Sequence, residues 1–227
     1  MIRKFGRIES PPDDRDFVLG AFFSPLMQVR KRLFPFGYKV WDVDRILDQG
    51  ETQHCIGFAF AGFGNTEPIF SNFSNHEADA LYYVAREYDG LPIDEYGTTL
   101  RSGAKAFRKA GRIDAYAFTR SVNEIAEWIF EKSPVVVGTH WYSAMMETDA
   151  EGFVSPEGYL MGGHAWTIIG CDFRGLFNRH FIGLNSWGEK YGANGRFKIR
   201  AGDLARLLRH NGEAVTAVEL PLVPQGV

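Results

Sequence analysis

The stretch DQGETQHCIGFAF, residues 48–60, places a cysteine directly before a run of small and aromatic residues. The chain has 2 cysteines in 227 residues, too few for a disulfide framework. The run predicts a buried helix that begins at Cys55, where the helix dipole and unpaired backbone N–H groups would stabilise a thiolate. Cys55 is therefore a candidate nucleophile, although free cysteines are also among the most buried and inert residues.

Composition describes an ordinary globular chain. Apolar residues make up 45%, aromatic residues 15%, and the formal net charge is −3, without the basic excess of a nucleic-acid binder. No apolar run approaches the roughly 18 residues that span a bilayer, and no secretory signal is evident at the start. We expect neither nucleic-acid nor membrane partners, and a cytoplasmic or virion-associated location.

Periodicity divides the chain, taken as a single domain of residues 1–227, into three parts. Residues 1–40 lack periodicity and predict an irregular wrapping arm. Residues from about 41–132 predict a helical lobe, and short β-branched and aromatic runs over about 133–227 predict an antiparallel sheet or partly closed barrel. The helical patterns cover 55–63, 78–88, 100–111 and 121–132. This order favours an α+β architecture with a cleft between the lobes, where sites tend to form.

Two downstream segments carry further candidates. In GGHAWTIIG, residues 162–170, His164 follows two glycines at the head of an apolar strand, which suits a general base at a cleft edge. A structural histidine is the alternative. In NSWGEKYGANGRF, residues 185–197, Asn185 ends a strand and Trp187 follows. An asparagine that accepts from the imidazole would fix its tautomer, and the tryptophan would keep water away.

In this order, the segments resemble a papain-like cysteine peptidase of clan CA, peptidase family C1, and especially its short bacterial and phage-type members. The resemblance spans roughly residues 40–200, with weaker matches at 96–111 and 133–142. It implies a papain-like two-lobe fold, with a helical left lobe, an antiparallel β-sheet or barrel as right lobe, and the active site in the cleft. It also implies hydrolysis of polypeptide substrates without a cofactor.

The resemblance implies a role for each matched residue. Cys55 would be the nucleophile, His164 its base and later its acid, and Asn185 the residue that orients the imidazole. Gln49, six positions before the cysteine, would hold the developing oxyanion together with the Cys55 N–H; taken alone, DQG is also a good turn sequence. Trp187 would shield the Asn–His hydrogen bond and border the leaving-group side.

Departures from the family pattern concern substrate binding. Gln53 replaces a glycine that lines the subsite for the residue before the scissile bond. Thr98 follows Gly97 where a second glycine usually pairs with substrate backbone. The predicted substrate-binding residues are Gly97, Thr98, Gly163, Trp187 and Gln53. The altered subsite predicts non-standard substrate binding.

Three further expectations follow. His54 is expected to face solvent, because neighbouring helical residues point in different directions. No metal site is predicted, because Cys-x-x-Cys and His-x-x-x-His spacings are missing. About 40 residues precede the cysteine motif without a long helical pattern, so we expect no inhibitory propeptide and no zymogen control.

Three functions fit these observations. The first is a cysteine endopeptidase that works through a Cys-His-Asn triad and a thioester acyl-enzyme. The second is a papain-fold binding or structural module, for example in a phage virion with an assembly partner in the larger particle; the four intact chemical positions argue against it. The third is an amidase directed at peptidoglycan cross-peptides. Loop-built subsites decide among substrates and cannot be interpreted from sequence.

Overall fold

The computed structural model of the chain describes residues 3–22, 36–92, 94–175 and 177–219. The helices in these ranges are α1 (Cys55–Gly64), α2 (Asn75–Asp89), α3 (Leu100–Lys109), α4 (Val122–Glu131) and α5 (Ala201–Arg209). The strands are β1 (Arg7–Ile8), β2 (Tyr38–Val40), β3 (Thr98–Thr99), β4 (Ala115–Thr119), β5 (Val135–Tyr142), β6 (Phe153–Val154), β7 (Leu160–Asp172), β8 (His180–Leu184), β9 (Arg196–Arg200) and β10 (Glu213–Glu219).

Helix α1 is buried along its whole length, as expected of a helix that is apolar on every side. A Cβ at Gly57 would overlap the carbonyl of Ala78, so glycine allows α1 and α2 to pack closely. Helix α2 begins at a capping box formed by Ser74 and Glu77, which fixes its start three residues before the predicted helix. Cys55, the first residue of α1, is fully buried.

Strand β7 is the centre of the sheet. The strand order is β4-β10-β5-β7-β8-β9-β6, and β2 pairs with β7 as well. The neighbours pair antiparallel except β6 and β9, which are parallel. Strands β1 and β3 form a separate parallel pair. The site residues on β7 and after β8 therefore lie on adjacent, mutually braced strands.

Two hydrophobic clusters organise the core. One joins α1, α2 and α3 to the face of the sheet that carries Val136, Ala165 and Val215. The other packs α4 and α5 against the opposite face of the sheet, where Val137 and Ile168 lie. Helices α1, α2 and α3 therefore form one packed group. Helix α4 packs against the sheet instead, although it lies before the predicted lobe boundary at residue 132.

The predicted α+β architecture is confirmed. Strand β4 and helix α5 were not predicted from the sequence. Helix α5 carries a detectable signal, because Leu204, Leu207 and Leu208 follow helical spacing. Of the predicted arm, residues 1–2 and 23–35 lie outside the described residues. The division of the chain into domains stays a prediction.

Candidate active site

A histidine and an asparagine from neighbouring strands form the centre of the site. His164 lies on β7, and Asn185 directly follows β8. Oδ1 of Asn185 lies 2.8 Å from Nε2 of His164 and also accepts the backbone N–H of Ser186 at 2.8 Å. Because a carbonyl oxygen only accepts, Nε2 carries the proton and Nδ1 is the bare nitrogen of the neutral ring. The imidazole is thereby held in the tautomer that can take up a proton at Nδ1.

Aromatic side chains enclose this hydrogen bond. The ring of Trp187 lies 5.0 Å from the His164 ring at an angle of 34°, and Trp141 approaches the same ring edge-on at 4.9 Å. Burial lowers the pKa of His164 to about 4, even though the Asn185 hydrogen bond raises it. The imidazole is therefore neutral near pH 7, as a general base must be.

Cys55 is the first residue of α1, and its side chain is fully buried. Burial raises the pKa of its thiol to about 11; backbone N–H hydrogen bonds from Ala165, Gly6 and Ile56 act in the opposite direction. Since Ala165 directly follows His164, the thiol and the imidazole belong to one small site. In this arrangement both groups are neutral.

Gln49 is fixed by the segment that carries Asn185. Its backbone N–H donates to the carbonyl of Ser186 at 2.9 Å, and its Oε1 accepts the Ser186 hydroxyl at 2.8 Å. The Nε2 amide group donates to the carbonyls of Thr52 at 2.8 Å and Lys4 at 3.3 Å. The sequence-predicted catalytic residues Cys55, His164, Asn185 and Gln49 are therefore all brought into one site.

The amino-terminal arm, defined here as residues 3–10, lies directly on this site. The carbonyl of Lys4 accepts from Gln49, and the N–H of Gly6 bonds to the thiol of Cys55. A carbonyl of the chain itself is thus bound by the amide predicted to hold an oxyanion. Two residues further along, the peptide N–H of Gly6 is in contact with the predicted nucleophile.

Phe5, between these two residues, covers the imidazole. Its ring lies edge-on at 5.8 Å from the ring of His164 and 6.2 Å from that of Trp187. Arg3 lies over the Trp187 ring at 5.7 Å and forms an ion pair with Asp48. The arm therefore closes the Trp187 side of the site as well.

Gly6 occupies the side of the site opposite Trp187, next to Gln53, Gly97 and Thr98. Its carbonyl accepts the N–H of Thr98 at 2.9 Å. A Cβ on Gly97, whose φ is +100°, would lie 2.5 Å from that carbonyl oxygen, and a Cβ on Gly6 would overlap the backbone of Gln53. Glycine at both positions allows this close approach of two backbones.

Arg7 continues the contact at Gly163, where a Cβ would overlap the Arg7 carbonyl. Each predicted substrate-binding residue therefore contacts the arm. Residues 3–10 of the predicted wrapping arm thus cover the cleft, and the expected absence of an inhibitory propeptide stays a prediction. The position of the arm over the cleft could not be predicted, because an extended segment of a few residues has no helical periodicity and its pairing with β3 involves residues about 90 positions apart.

His54 does not face solvent, contrary to expectation. Its ring stacks on Tyr82 with centroids 3.9 Å apart, and its Nδ1 lies 2.7 Å from Oδ1 of Asp79. The close packing of α1 on α2 brings these partners to it. His54 therefore contributes to the packing interface between α1 and α2.

The described ranges lack two further features. These ranges contain no group of three or more His, Cys, Asp or Glu side chains arranged to hold a metal ion. None of the helices within them is long and apolar enough to cross a membrane.

A buried cysteine at a helix N-terminus, next to a histidine–asparagine pair, is an arrangement typical of cysteine proteases. A family model described as papain family cysteine protease matches residues 75–212, well over half of the chain, and the chain belongs to this family. The match includes His164 and Asn185, whereas Gln49 and Cys55 precede it.

Individual relatives agree with this family. Cathepsin B-like cysteine proteinase 3 of Caenorhabditis elegans is 32% identical over 109 residues, 48% of this chain but 27% of that protein. An uncharacterized peptidase C1-like protein of Acanthamoeba polyphaga mimivirus is 25% identical over 264 residues, which cover 87% of this chain and 81% of the relative. The first alignment thus spans about a quarter of the nematode protein.

Solved structures share the fold. Xylellain, a cysteine protease from Xylella fastidiosa, superposes with a TM-score of 0.70 over 96% of both chains at 21% identity. Procathepsin B from Trypanosoma congolense gives a TM-score of 0.56 at 12% identity, over 94% of this chain and 85% of the other. At these identities the likeness is one of fold.

Proposed function

We propose that this chain hydrolyses peptide bonds through Cys55, His164, Asn185 and Gln49. The observation that carries the proposal is the position of the arm in the cleft, where its backbone contacts Gln49 and Cys55. A peptide carbonyl, that of Lys4, is already bound to the Gln49 amide 3.3 Å away, beside a buried thiol and a neutral imidazole. The site therefore has the shape and the polarity to hold a polypeptide backbone.

The reaction follows from the tautomer of His164. Nδ1 takes the proton of the Cys55 thiol, and the sulfur attacks the carbonyl carbon of the substrate. The amide of Gln49 and the backbone N–H of Cys55 hold the oxyanion. Nδ1 then donates its proton to the departing amine, which leaves a thioester on Cys55. Water, deprotonated by the same nitrogen, hydrolyses the thioester and regenerates the thiol.

The arm itself lies in the wrong direction for cleavage. It runs from Arg3 at Trp187, the proposed leaving-group side, to Arg7 beside Thr98, the proposed acyl side. A productive substrate runs the opposite way. The Lys4 carbonyl is thus bound while its peptide nitrogen points away from the position where a leaving amine would be protonated. The arm occupies the site without being consumed.

Hydrolysis therefore requires residues 3–7 to leave the cleft. Their departure exposes Cys55 and His164 to water, which relieves the desolvation that raises the thiol pKa and lowers the imidazole pKa. The closed chain is a latent form, and polypeptide substrates compete with the arm for the same contacts.

The test uses the full chain carrying Gly6→Val, whose side chain the backbone of Gln53 cannot accommodate, so that the arm is displaced. With a casein-type substrate it compares Cys55→Ala with the matched variant Cys171→Ala in this background. We expect hydrolysis to be lost in Cys55→Ala and retained in Cys171→Ala. Equal rates in the two variants would contradict the proposal. Purified cell wall is assayed in parallel. Release of cross-peptides without casein cleavage would reject the peptidase and support the predicted amidase. If neither substrate is hydrolysed and Cys55 is unreactive after the arm is displaced, the binding or structural module is the remaining function.

A further inference from the structure

The side chain of Arg7 fills a closed pocket beside the proposed active site. It is 2% exposed, and its Nη2 lies 3.0 Å from Oε1 of Glu213 and 2.6 Å from the carbonyl oxygen of Asn211. Arg7 belongs to the arm at the surface, yet its side chain is almost completely buried. A charged side chain is buried in this way only where the pocket supplies polar partners.

Two glycines on neighbouring strands make room for the arginine stem. A Cβ on Gly138 of β5 would lie 2.8 Å from Nε and 3.1 Å from Cγ of Arg7. A Cβ on Gly163 of β7 would lie 3.3 Å from Cδ. Leu100 of α3 borders the same space, because its Cδ1 would be 2.6 Å from the Cβ on Gly138. The pocket is thus a slot with apolar walls and a carboxylate at its end.

Glu213 depends on the arm for its partners. Within the described residues, its carboxylate accepts two hydrogen bonds, from Nη2 of Arg7 at 3.0 Å and from the N–H of Ser10 at 3.1 Å. Both donors belong to the arm, and Glu213 itself is 4% exposed. When the arm leaves, a buried carboxylate loses its cation and a backbone donor together, and such a group favours a new cation.

We propose that this slot, formed by Gly138, Gly163, Leu100 and Glu213, is a specificity site for an arginine-like cationic side chain of the substrate. The proposal rests on the proposed function, since the substrate enters the slot only when it replaces the arm. Gly163 is adjacent to His164 in sequence, so the slot holds a residue close to the scissile bond. Arg7 is the occupant in the closed chain.

The first test is independent of the chemistry of Cys55. Arg7→Ala in the full chain empties the slot, and the melting temperature is then measured with ethylguanidinium or with its neutral analogue ethylurea. We expect ethylguanidinium to raise the melting temperature of Arg7→Ala relative to ethylurea, with no such difference in the unsubstituted chain or in Arg7→Ala/Glu213→Gln. Equal effects of the two compounds on Arg7→Ala would overturn the proposal.

The second test measures selectivity at the site itself. Peptidyl epoxides carrying arginine or its neutral isostere citrulline, placed in turn at each position near the electrophile, react with Arg7→Ala. We expect arginine to accelerate labelling of Cys55 over citrulline by about tenfold or more at one position, the value of a charge-assisted hydrogen bond. Arg7→Ala/Glu213→Gln should lose this preference. A preference that survives Glu213→Gln contradicts the assignment.

The two tests separate this inference from the proposed function. Guanidinium stabilisation together with an unreactive Cys55 would retain the cation slot and reject the peptidase. A reactive Cys55 that labels equally with arginine and citrulline would retain the peptidase and reject the slot, leaving the Arg7–Glu213 pair as a fastening of the arm.

Discussion

The two cysteines of the chain are equally buried and differ in everything around them. Both Cys55 and Cys171 are 0% exposed, and burial raises the pKa of both thiols. Cys171 lies within β7, opposite Lys39 and Phe181 of the neighbouring strands. Asp172 and Glu127 raise its pKa further. Nothing about this strand position favours a thiolate.

Cys55 has the opposite surroundings. Backbone N–H groups reach its thiol from Ala165, Gly6 and its own helix, and the charge of Arg7 also favours the thiolate. Burial outweighs these contacts in the closed chain, and the arm contributes part of that burial. Burial alone therefore does not distinguish the two thiols; under the proposed function, the neighbouring donors and the removable cover do.

The largest effect is expected from removing the imidazole of His164, the group that accompanies Cys55 but not Cys171. In arm-displaced protein, His164→Ala should lower turnover by about 10⁴-fold or more, because the thiol loses its general base. The matched variant is His180→Ala, at the start of β8, where Nδ1 lies 2.8 Å from the carbonyl oxygen of Asn178. His180→Ala should leave kcat/KM unchanged. Similar losses in both variants would show that His164 acts only in folding.

The next effect concerns the oxyanion donor. Gln49→Ala should lower kcat by about 10²–10³-fold with little change in KM, because the donor acts mainly on the transition state. Glu51→Ala, an exposed position in the same loop, serves as control and should retain the original kcat. A Gln49→Ala variant that raises KM alone would assign Gln49 to substrate binding.

A smaller effect appears in the pH dependence of stability. The pKa of His164 is about 4 when folded and 6.5 in its ordinary state, so the unfolded chain binds the extra proton first as the pH falls. The free energy of unfolding should therefore decrease from about pH 6.5 down to about pH 4, by at most about 3 kcal/mol from this group. Denaturant titrations should show this decrease relative to His164→Gln, and identical pH profiles would contradict it.

Contacts between segments that are distant along the chain could not be predicted from the sequence. Cys55, His164 and Asn185 were predictable because each occupies a motif with its own local signature, and helices such as α2 and α4 carry caps and periodicity. The cover over Cys55 depends instead on single glycines, Gly6 and Gly97, whose meaning appears only when two backbones meet. The Arg7–Glu213 pair likewise joins residues 206 positions apart, and no local pattern indicates such a pairing.

The central claim is that Cys55 is a nucleophile kept latent by the arm, and competitive alkylation of the two cysteines tests it most directly. Gly6→Val introduces a Cβ that the backbone of Gln53 cannot accommodate, so the arm must leave its seat. Gly202→Ala, which has nothing within 4 Å of the added Cβ, is the control. Iodoacetamide labelling at pH 7 is mapped to each cysteine by mass spectrometry.

We expect both cysteines to react slowly in the unsubstituted chain and in Gly202→Ala. In Gly6→Val, labelling of Cys55 should accelerate at least about tenfold, while Cys171 stays protected. If Cys55 remains as slow as Cys171 in Gly6→Val, it is not an activated nucleophile. If Cys55 already reacts rapidly in the unsubstituted chain, the arm does not hold it latent.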